Sequence, residues 1–103
     1  MQSTDKLITE ILVRFKKQGY AQVAEYNRFG FISETDNYVL VSREKGKDTK
    51  IYFNKISKAI DAVRKDHKVF TEGPSRLRKY GLTHIMSPLW ALIHLLTLEE
   101  LMD

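Results

Sequence analysis

The chain contains no cysteine, and it has only two prolines and five glycines among 103 residues. Without thiols it can form neither disulfides nor thiolate metal sites, which excludes zinc ribbons and cysteine nucleophiles. The most apolar run, Pro88 to Leu96, is far shorter than the roughly 20 residues that span a bilayer. Residues 1–6 lack the basic and apolar segments of a signal peptide. We therefore expect a cytoplasmic protein without membrane association.

Positive charge is distributed unevenly along the chain. The formal net charge is +4, yet residues 1–42 carry five basic and five acidic side chains. Residues 43–79 carry twelve basic and five acidic side chains, whereas residues 80–103 carry three acidic ones and no lysine or arginine. A surplus concentrated in one third of the chain predicts a surface that attracts polyanions.

Composition and periodicity predict a folded domain that begins with a helix. The hydrophobic fraction is 43% and the aromatic fraction 11%, which is typical of globular proteins, and the length suits one domain over residues 1–103. Ser3 or Thr4 is a candidate N-cap, and Gly19 is a stop signal, so a helix is predicted over about residues 4 to 18. Its apolar stripe consists of Leu7, Ile8, Ile11, Leu12 and Phe15.

The next segment has the composition of β-strands. Aromatic and β-branched residues are dense, and the polar clusters at residues 34–37 and 44–48 are typical of turns. We predict an antiparallel meander of two to three strands, near residues 20–26 or 29–33, then 38–43 and 49–53. In the last strand Ile51 and Phe53 share one face, and the other face carries Lys50, Tyr52 and Asn54.

Helix signals dominate the remainder of the chain. Asn54 is a candidate N-cap for a second helix, and the proline-containing segments 73–75 and 87–88 each predict another helix start. Thr97 with Glu100 matches a capping box. The predicted fold class is α+β, a small antiparallel meander with an N-terminal helix and three to four C-terminal helices packed on it.

The segment SREKGKDTK, residues 42–50, is the centre of the basic third and is called the basic loop below. Several cations within reach of a polyanion displace its counterions, and an outward tyrosine can stack on a base. A two-stranded ribbon also fits the major groove of DNA. We predict a non-catalytic domain that binds DNA or RNA through a basic hairpin and a short basic helix. The predicted contacts are Arg43, Lys45, Lys47, Lys50, Tyr52, Arg76, Arg78 and Lys79.

A metal-dependent nuclease is a weaker hypothesis. Asp36 precedes an acid-x-lysine motif, Asp48-Thr49-Lys50, which in such enzymes holds a divalent cation beside a lysine. Here the motif lies in a glycine-containing turn, where Asp and Lys are common for conformational reasons. His67, His84 and His94 lack the i, i+4 spacing of helical metal ligands. No catalytic residue, metal site or cofactor is predicted.

The segment from Leu89 to Leu96 is apolar on nearly every face, so it should be buried. One alternative is a central core helix. The other is a homodimer interface formed by Trp90, Leu92, Ile93 and Leu96, and this alternative is favoured because the apolar character continues to Met102.

A second hypothesis for function is a protein-interaction or accessory module of the short kind found on mobile elements or phages. Its charged face would meet an acidic partner protein. The absence of a catalytic motif agrees equally with both hypotheses, and salt-dependent binding to nucleic acid separates them.

Overall fold

Helix α1 spans Thr4–Gln18 in the computed structural model, which describes residues 2–103. Ser3 is the N-cap, because its side chain accepts a hydrogen bond from the Lys6 N–H at 3.3 Å. Gly19 adopts a left-handed φ of 87°, and its N–H donates to the Phe15 carbonyl. The helix predicted over residues 4 to 18 is therefore confirmed, together with its start and stop signals.

The sheet consists of four antiparallel strands in the order β1-β2-β3-β4. Their bounds are Tyr20–Ala21 for β1, Phe29–Glu34 for β2, Tyr38–Arg43 for β3 and Thr49–Tyr52 for β4. The α+β class and the antiparallel meander are confirmed, but the predicted number of strands was too low. The sequence offers the segments near residues 20–26 and 29–33 as alternatives, whereas each contains a strand and the two strands, β1 and β2, pair with each other.

The second half of the chain is helical. The helices are α2 (Phe53–Lys65), α3 (Lys68–Thr71), a 3-10 helix (Pro74–Tyr80), α4 (Met86–Ile93) and α5 (Leu98–Met102). The Thr97 side chain and the Glu100 side chain each accept a hydrogen bond from the other residue's backbone N–H. The predicted capping box is therefore confirmed.

Two predicted helix starts were wrong by one or two residues. Tyr52, not Asn54, is the N-cap of α2, and Phe53 is its first helical residue. The Phe53 N–H donates to the Asn37 carbonyl at 2.9 Å, so the β2–β3 turn satisfies one of the N–H groups that have no partner within the helix. Helix α4 begins at Met86, which places Ser87 inside the first turn rather than at the cap.

One side of the sheet and all the longer helices share a single hydrophobic core. The inward side chains of the strands are fully or almost fully buried: Ala21, Phe29, Val39, Val41 and Ile51. They lie in the same core as the apolar stripes of α1 and α2 and nearly the whole of α4. The helices therefore form one layer and the sheet the other.

Helix α4 is the central core helix. Trp90, Leu92, Ile93 and Leu96 expose 5% or less of their surface within the single chain. The Trp90 indole N–H donates to the Val69 carbonyl at 2.8 Å, which satisfies its polar atom inside the core. These four side chains are packed inside the protein, so they present no face to a second copy, and the predicted interface is corrected to core.

No helix within residues 2–103 is long and apolar enough to cross a membrane.

Arg14 connects the first helix to the last. Its guanidinium donates to both carboxylate oxygens of Glu100, at 2.9 and 2.6 Å, and to the Leu95 carbonyl at 2.9 Å. The hydrogen bonds from Arg14, helped by the Thr97 N–H, lower the pKa of the Glu100 carboxyl from 4.5 to about 2. The pair closes α5 against α1 and helps to hold the C-terminal end of the chain in place.

This pair predicts a specific loss of stability in acid. Since folding lowers the Glu100 pKa, the unfolded chain takes up a proton at this residue below about pH 4.5 while the folded state still resists it. The contribution of the pair to the free energy of unfolding therefore decreases as the pH falls and disappears as the pH approaches 2. Both side chains are more than one-third exposed, so we expect Glu100→Gln to cost only about 1 kcal/mol at pH 6. Urea unfolding at pH 6 and pH 2.5 should show the full cost at the higher pH and only a small part of it at the lower pH. The exposed neighbour variant, Glu99→Gln, is the control, and an equal cost for both variants at pH 6 would contradict the assignment.

Candidate nucleic-acid interface

The sheet has a second side, which we call the open face and which no helix of residues 2–103 covers. Adjacent strands place Tyr38 opposite Tyr52 and Leu40 opposite Lys50. These side chains alternate with Val39 and Ile51, which are fully buried, so they point away from the core. Farther along the sheet, the pairing of β1, β2 and β3 places Tyr20, Gly30 and Ser42 in one row on this same side.

Tyr38, Lys50 and Tyr52 form a compact group that we call the Tyr–Lys cluster. The two tyrosine rings meet edge-to-face, with centroids 5.3 Å apart, and the Lys50 ammonium lies 5.0 Å from the centroid of the Tyr38 ring. Tyr52 is 43% exposed. Attraction between the ammonium and the ring holds the cation beside an accessible aromatic surface.

A similar pair lies at the β1 edge of the open face. The Arg28 guanidinium lies 4.0 Å from the centroid of the Tyr20 ring. The surface between this pair and the Tyr–Lys cluster is recessed, because Gly30 has no side chain and the Ser42 hydroxyl is held down by a hydrogen bond from the Gly30 N–H at 3.1 Å. A Cβ at position 30 would lie only 2.5 Å from that hydroxyl oxygen, so any other residue there would require the Ser42 side chain to rotate.

Two of the predicted contacts, Lys50 and Tyr52, lie on the open face. Sequence reasoning missed Tyr38, Tyr20 and Arg28. The alternation in YVLVSR, residues 38–43, was a sufficient signal for Tyr38, since it places that ring on the side opposite Val39 and Val41. Tyr20 and Arg28 required the pairing of β1 with β2, which the sequence did not reveal.

Arg43 lies on the other side of the sheet. It is paired with the buried Phe29 across the strands, and its guanidinium lies 5.8 Å from the centroid of that ring. The same group donates to the Thr49 hydroxyl and to the His84 carbonyl, each at 3.4 Å. Arg43 therefore joins the hairpin to the loop after the 3-10 helix, and it does not share a surface with Lys50 and Tyr52.

The short basic helix belongs to the helical layer. The Arg76 guanidinium donates two hydrogen bonds to the Glu72 carboxylate, at 3.0 and 2.7 Å. It also lies 3.8 Å from the carboxylate of Asp66. Arg78 and Lys79 are exposed. Because the 3-10 helix packs against α4 and α2 rather than against the open face, these residues form a patch apart from the Tyr–Lys cluster. The eight predicted contacts thus lie on more than one surface.

The turn of the basic loop remains exposed at one end of the open face. Lys45, Lys47, Glu44 and Asp48 all face solvent. The Glu44 carboxylate accepts a hydrogen bond from the Arg28 N–H at 3.0 Å, which directs one of the two acids back toward the sheet. Lys45 and Lys47 are therefore accessible beside Lys50, while the Glu44 carboxylate is hydrogen-bonded to the Arg28 backbone N–H.

The two carboxylates of the nuclease hypothesis are far apart. Asp36 lies in the turn between β2 and β3, and Asp48 lies in the turn between β3 and β4, at the other end of β3. Six strand residues separate the two turns by about 20 Å, whereas ligands of one divalent cation lie within about 2.6 Å of it. The pair cannot hold one metal ion, and residues 2–103 contain no group of three or more histidine or acidic side chains placed to do so.

Of the three histidines, His94 has the most enclosed position. Its ring stacks on Phe70 with centroids 3.8 Å apart, and Nδ1 lies 2.7 Å from the Trp90 carbonyl. Nδ1 therefore carries a proton and donates it to the carbonyl in the neutral ring. Burial lowers the pKa of this imidazole below its usual 6.5. His94 is explained by packing at the end of α4.

The environment of His94 predicts an acid-shifted titration. We expect its midpoint, followed by the imidazole proton signals in NMR, to lie below 6.5. Between that midpoint and pH 6.5 the unfolded chain binds a proton that the folded chain resists, so the free energy of unfolding decreases as the pH falls. The decrease between pH 7 and pH 5 should be smaller in His94→Gln. A midpoint above 6.5 would contradict this account of the site.

A groove of about 530 Å³ separates α1 from the turn between β2 and β3. Ile8, Leu12 and Phe53 contribute apolar surface, and Val13 at the margin is 54% exposed. The charged side chains of the groove are Asp5, Glu34, Asp36 and Lys16. This groove is on the helical side of the sheet, so its acids do not border the Tyr–Lys cluster.

Comparisons of the chain with protein-family models, with curated proteins and with solved structures found no match.

Proposed function

We propose that the protein binds nucleic acid, without catalysing a reaction on it, through the open face and the adjoining turn of the basic loop. The observation that carries this proposal is the Tyr–Lys cluster on the open face, in which the exposed Tyr52 ring contacts Tyr38 and the Lys50 ammonium lies over the Tyr38 ring. Nucleic acids present the two matching groups, base surfaces and phosphates, at every nucleotide.

The distribution of ion pairs supports a role for the lysines. Within residues 2–103 the ion pairs involve Arg14 and Arg76, and none involves Lys45, Lys47 or Lys50. Arg14 and Arg76 are thus engaged in holding elements of the helical layer together, whereas Lys45, Lys47 and Lys50, like the other lysines of this part of the chain, keep their charge available to a ligand. A lysine that neutralises a phosphate releases condensed counterions, which is the main source of non-specific affinity.

The aromatic residues also have a structural role, which the experiments must separate from binding. Cross-strand tyrosine pairs stabilise a sheet by roughly 0.2–1 kcal/mol. This stabilisation does not require a cation above one ring, nor an exposure of 43% for the other. Affinity must therefore be measured on variants whose thermal unfolding has been checked.

A charge-matched pair of variants tests the proposal. The triple variant Lys45→Gln, Lys47→Gln, Lys50→Gln and the control Lys6→Gln, Lys16→Gln, Lys17→Gln change the net charge equally, and the control lysines are exposed on α1. Fluorescence anisotropy with a labelled oligonucleotide at 50 mM salt should give micromolar binding for the native chain. We expect the triple variant to bind at least about tenfold more weakly and to show a smaller salt dependence, while the control stays within about threefold of the native chain.

An equal effect of the two triple variants would mean that only total charge matters and would contradict the assignment to the open face. Absence of binding at micromolar protein and 50 mM salt would contradict the proposed function as a whole. That outcome would favour a protein-interaction module, and the α1 groove gives this second candidate a specific form. Its apolar surface and three carboxylates suit a basic amphipathic segment of a partner, rather than the acidic partner expected from sequence.

A further inference from the structure

We infer that the ligand of the open face is single-stranded nucleic acid, whose bases stack on the Tyr–Lys cluster. This inference rests on the proposed function and specifies its substrate class. In a duplex the base surfaces are occupied by neighbouring bases, and only their edges and the phosphates are accessible. An aromatic ring exposed on a sheet therefore gains most from a strand whose bases are unstacked.

The arrangement of the hairpin defines a track for such a strand. The Tyr38–Tyr52 pair lies at one end of the β3–β4 ribbon, and Lys50 follows on the same face two residues from Tyr52. Lys47 lies at the other end, in the exposed turn. Positions 52 and 47 are five residues apart, and β4 covers the part from Thr49 to Tyr52, so the distance is at most about 17 Å. Stacking at one end and phosphate contacts along the ribbon are the two elements of single-strand recognition.

The surroundings of the track favour a strand over a duplex. Gly30 and Ser42 leave the centre of the face low, and Leu40, which is only partly buried, adds apolar surface beside Lys50. A sheet face of this kind is broad and shallow, whereas the protein elements that read a duplex project into a groove. The carboxylates of Glu34 and Asp36 line the α1 groove on the opposite side, whereas Glu44 and Asp48 face solvent in the turn beside Lys45 and Lys47.

The Arg28–Tyr20 pair offers a second stacking position at the far edge of the sheet. Tyr20 lies in the same row as Gly30 and Ser42. Ser42 is four residues along β3 from Tyr38, and Tyr20, on β1, is two strands away from β3. These offsets correspond to about 14 Å along the strands and 10 Å across them. A strand that turns across the open face could engage both pairs, so the probe should be longer than the hairpin track alone.

The experiment compares labelled 12-nucleotide single strands of mixed sequence, one DNA and one RNA, with a 12-base-pair DNA duplex in the same anisotropy assay. We expect at least one single strand to bind about tenfold or more tightly than the duplex at 150 mM salt. Stacking is common to DNA and RNA, so either single strand tests the proposed contact with the tyrosines. A difference in affinity between the two strands would show whether DNA or RNA is the ligand.

Three single variants test whether the ring is responsible. Tyr52→Leu should weaken single-strand binding about 5- to 100-fold, as expected for loss of one base–aromatic stack. Tyr52→Phe should keep most of the affinity, because it keeps the ring. Tyr26→Leu is the control, since Tyr26 is 48% exposed but contacts Trp90 in the helical layer, with ring centroids 5.0 Å apart. Matching unfolding temperatures for Tyr52→Leu and Tyr52→Phe would show that the lost affinity is not lost folding.

The outcomes separate this inference from the proposed function. Duplex binding equal to or tighter than single-strand binding, with Tyr52→Leu unchanged, would overturn the single-strand inference and leave nucleic-acid binding in place. An equal loss in Tyr26→Leu and Tyr52→Leu would also overturn it. Failure of every probe to bind would overturn both proposals.

Discussion

The alternation of side chains along β3 and β4 is the constraint on which the arrangement of this protein depends. Successive residues of a strand point to opposite sides, so burying Val39 and Ile51 obliges Tyr38, Lys50 and Tyr52 to project outward. A shift of register by one residue would place a lysine in the core, which would cost far more than the pairing provides. The chemistry of the open face is therefore fixed by the same hydrophobic packing that fixes the fold.

The helical layer completes this division between the two sides. Helix α4 is buried on nearly all sides by the sheet and the other helices, so it supplies the centre of the core without any second chain. Three arginines of this layer are used internally: Arg14 holds α5, Arg64 donates to the Leu101 and Gln2 carbonyls, and Arg76 pairs with Glu72. Among residues 2–103 the lysines of the hairpin form no ion pair, so their charge is available on the proposed binding surface.

Local signals in the sequence were sufficient for elements whose partners are nearby in the chain. The stripe and caps of α1 and the capping box at Thr97 involve residues three to five positions apart, and they were predicted correctly. The start of α2 was misplaced because the group that satisfies the Phe53 N–H is the Asn37 carbonyl, sixteen residues away. Likewise, β1 was recognised only as an alternative, since a two-residue strand depends on its pairing with Gly30 and Phe29.

The candidate site was predicted only in part. Lys50 and Tyr52 were identified from strand alternation. The same alternation places Arg43 on the side of Val39 and Val41, and Glu72 lies at the i,i+4 spacing from Arg76, so both of these local signals were missed. A basic composition indicated a surface without showing which cations were already engaged. The apolar character of α4 could not distinguish core from interface, because that choice depends on how many elements of the same chain pack around it.

The most direct test of this account is a titration of the ¹⁵N-labelled protein with an unlabelled single-stranded oligonucleotide, followed by backbone amide chemical shifts. We expect the largest changes in β3, the basic loop and β4, at residues 38–52, with a smaller group around Tyr20 and Arg28. Changes concentrated in the α1 groove or in the 3-10 helix, with residues 38–52 unaffected, would contradict the assignment of the open face as the binding surface.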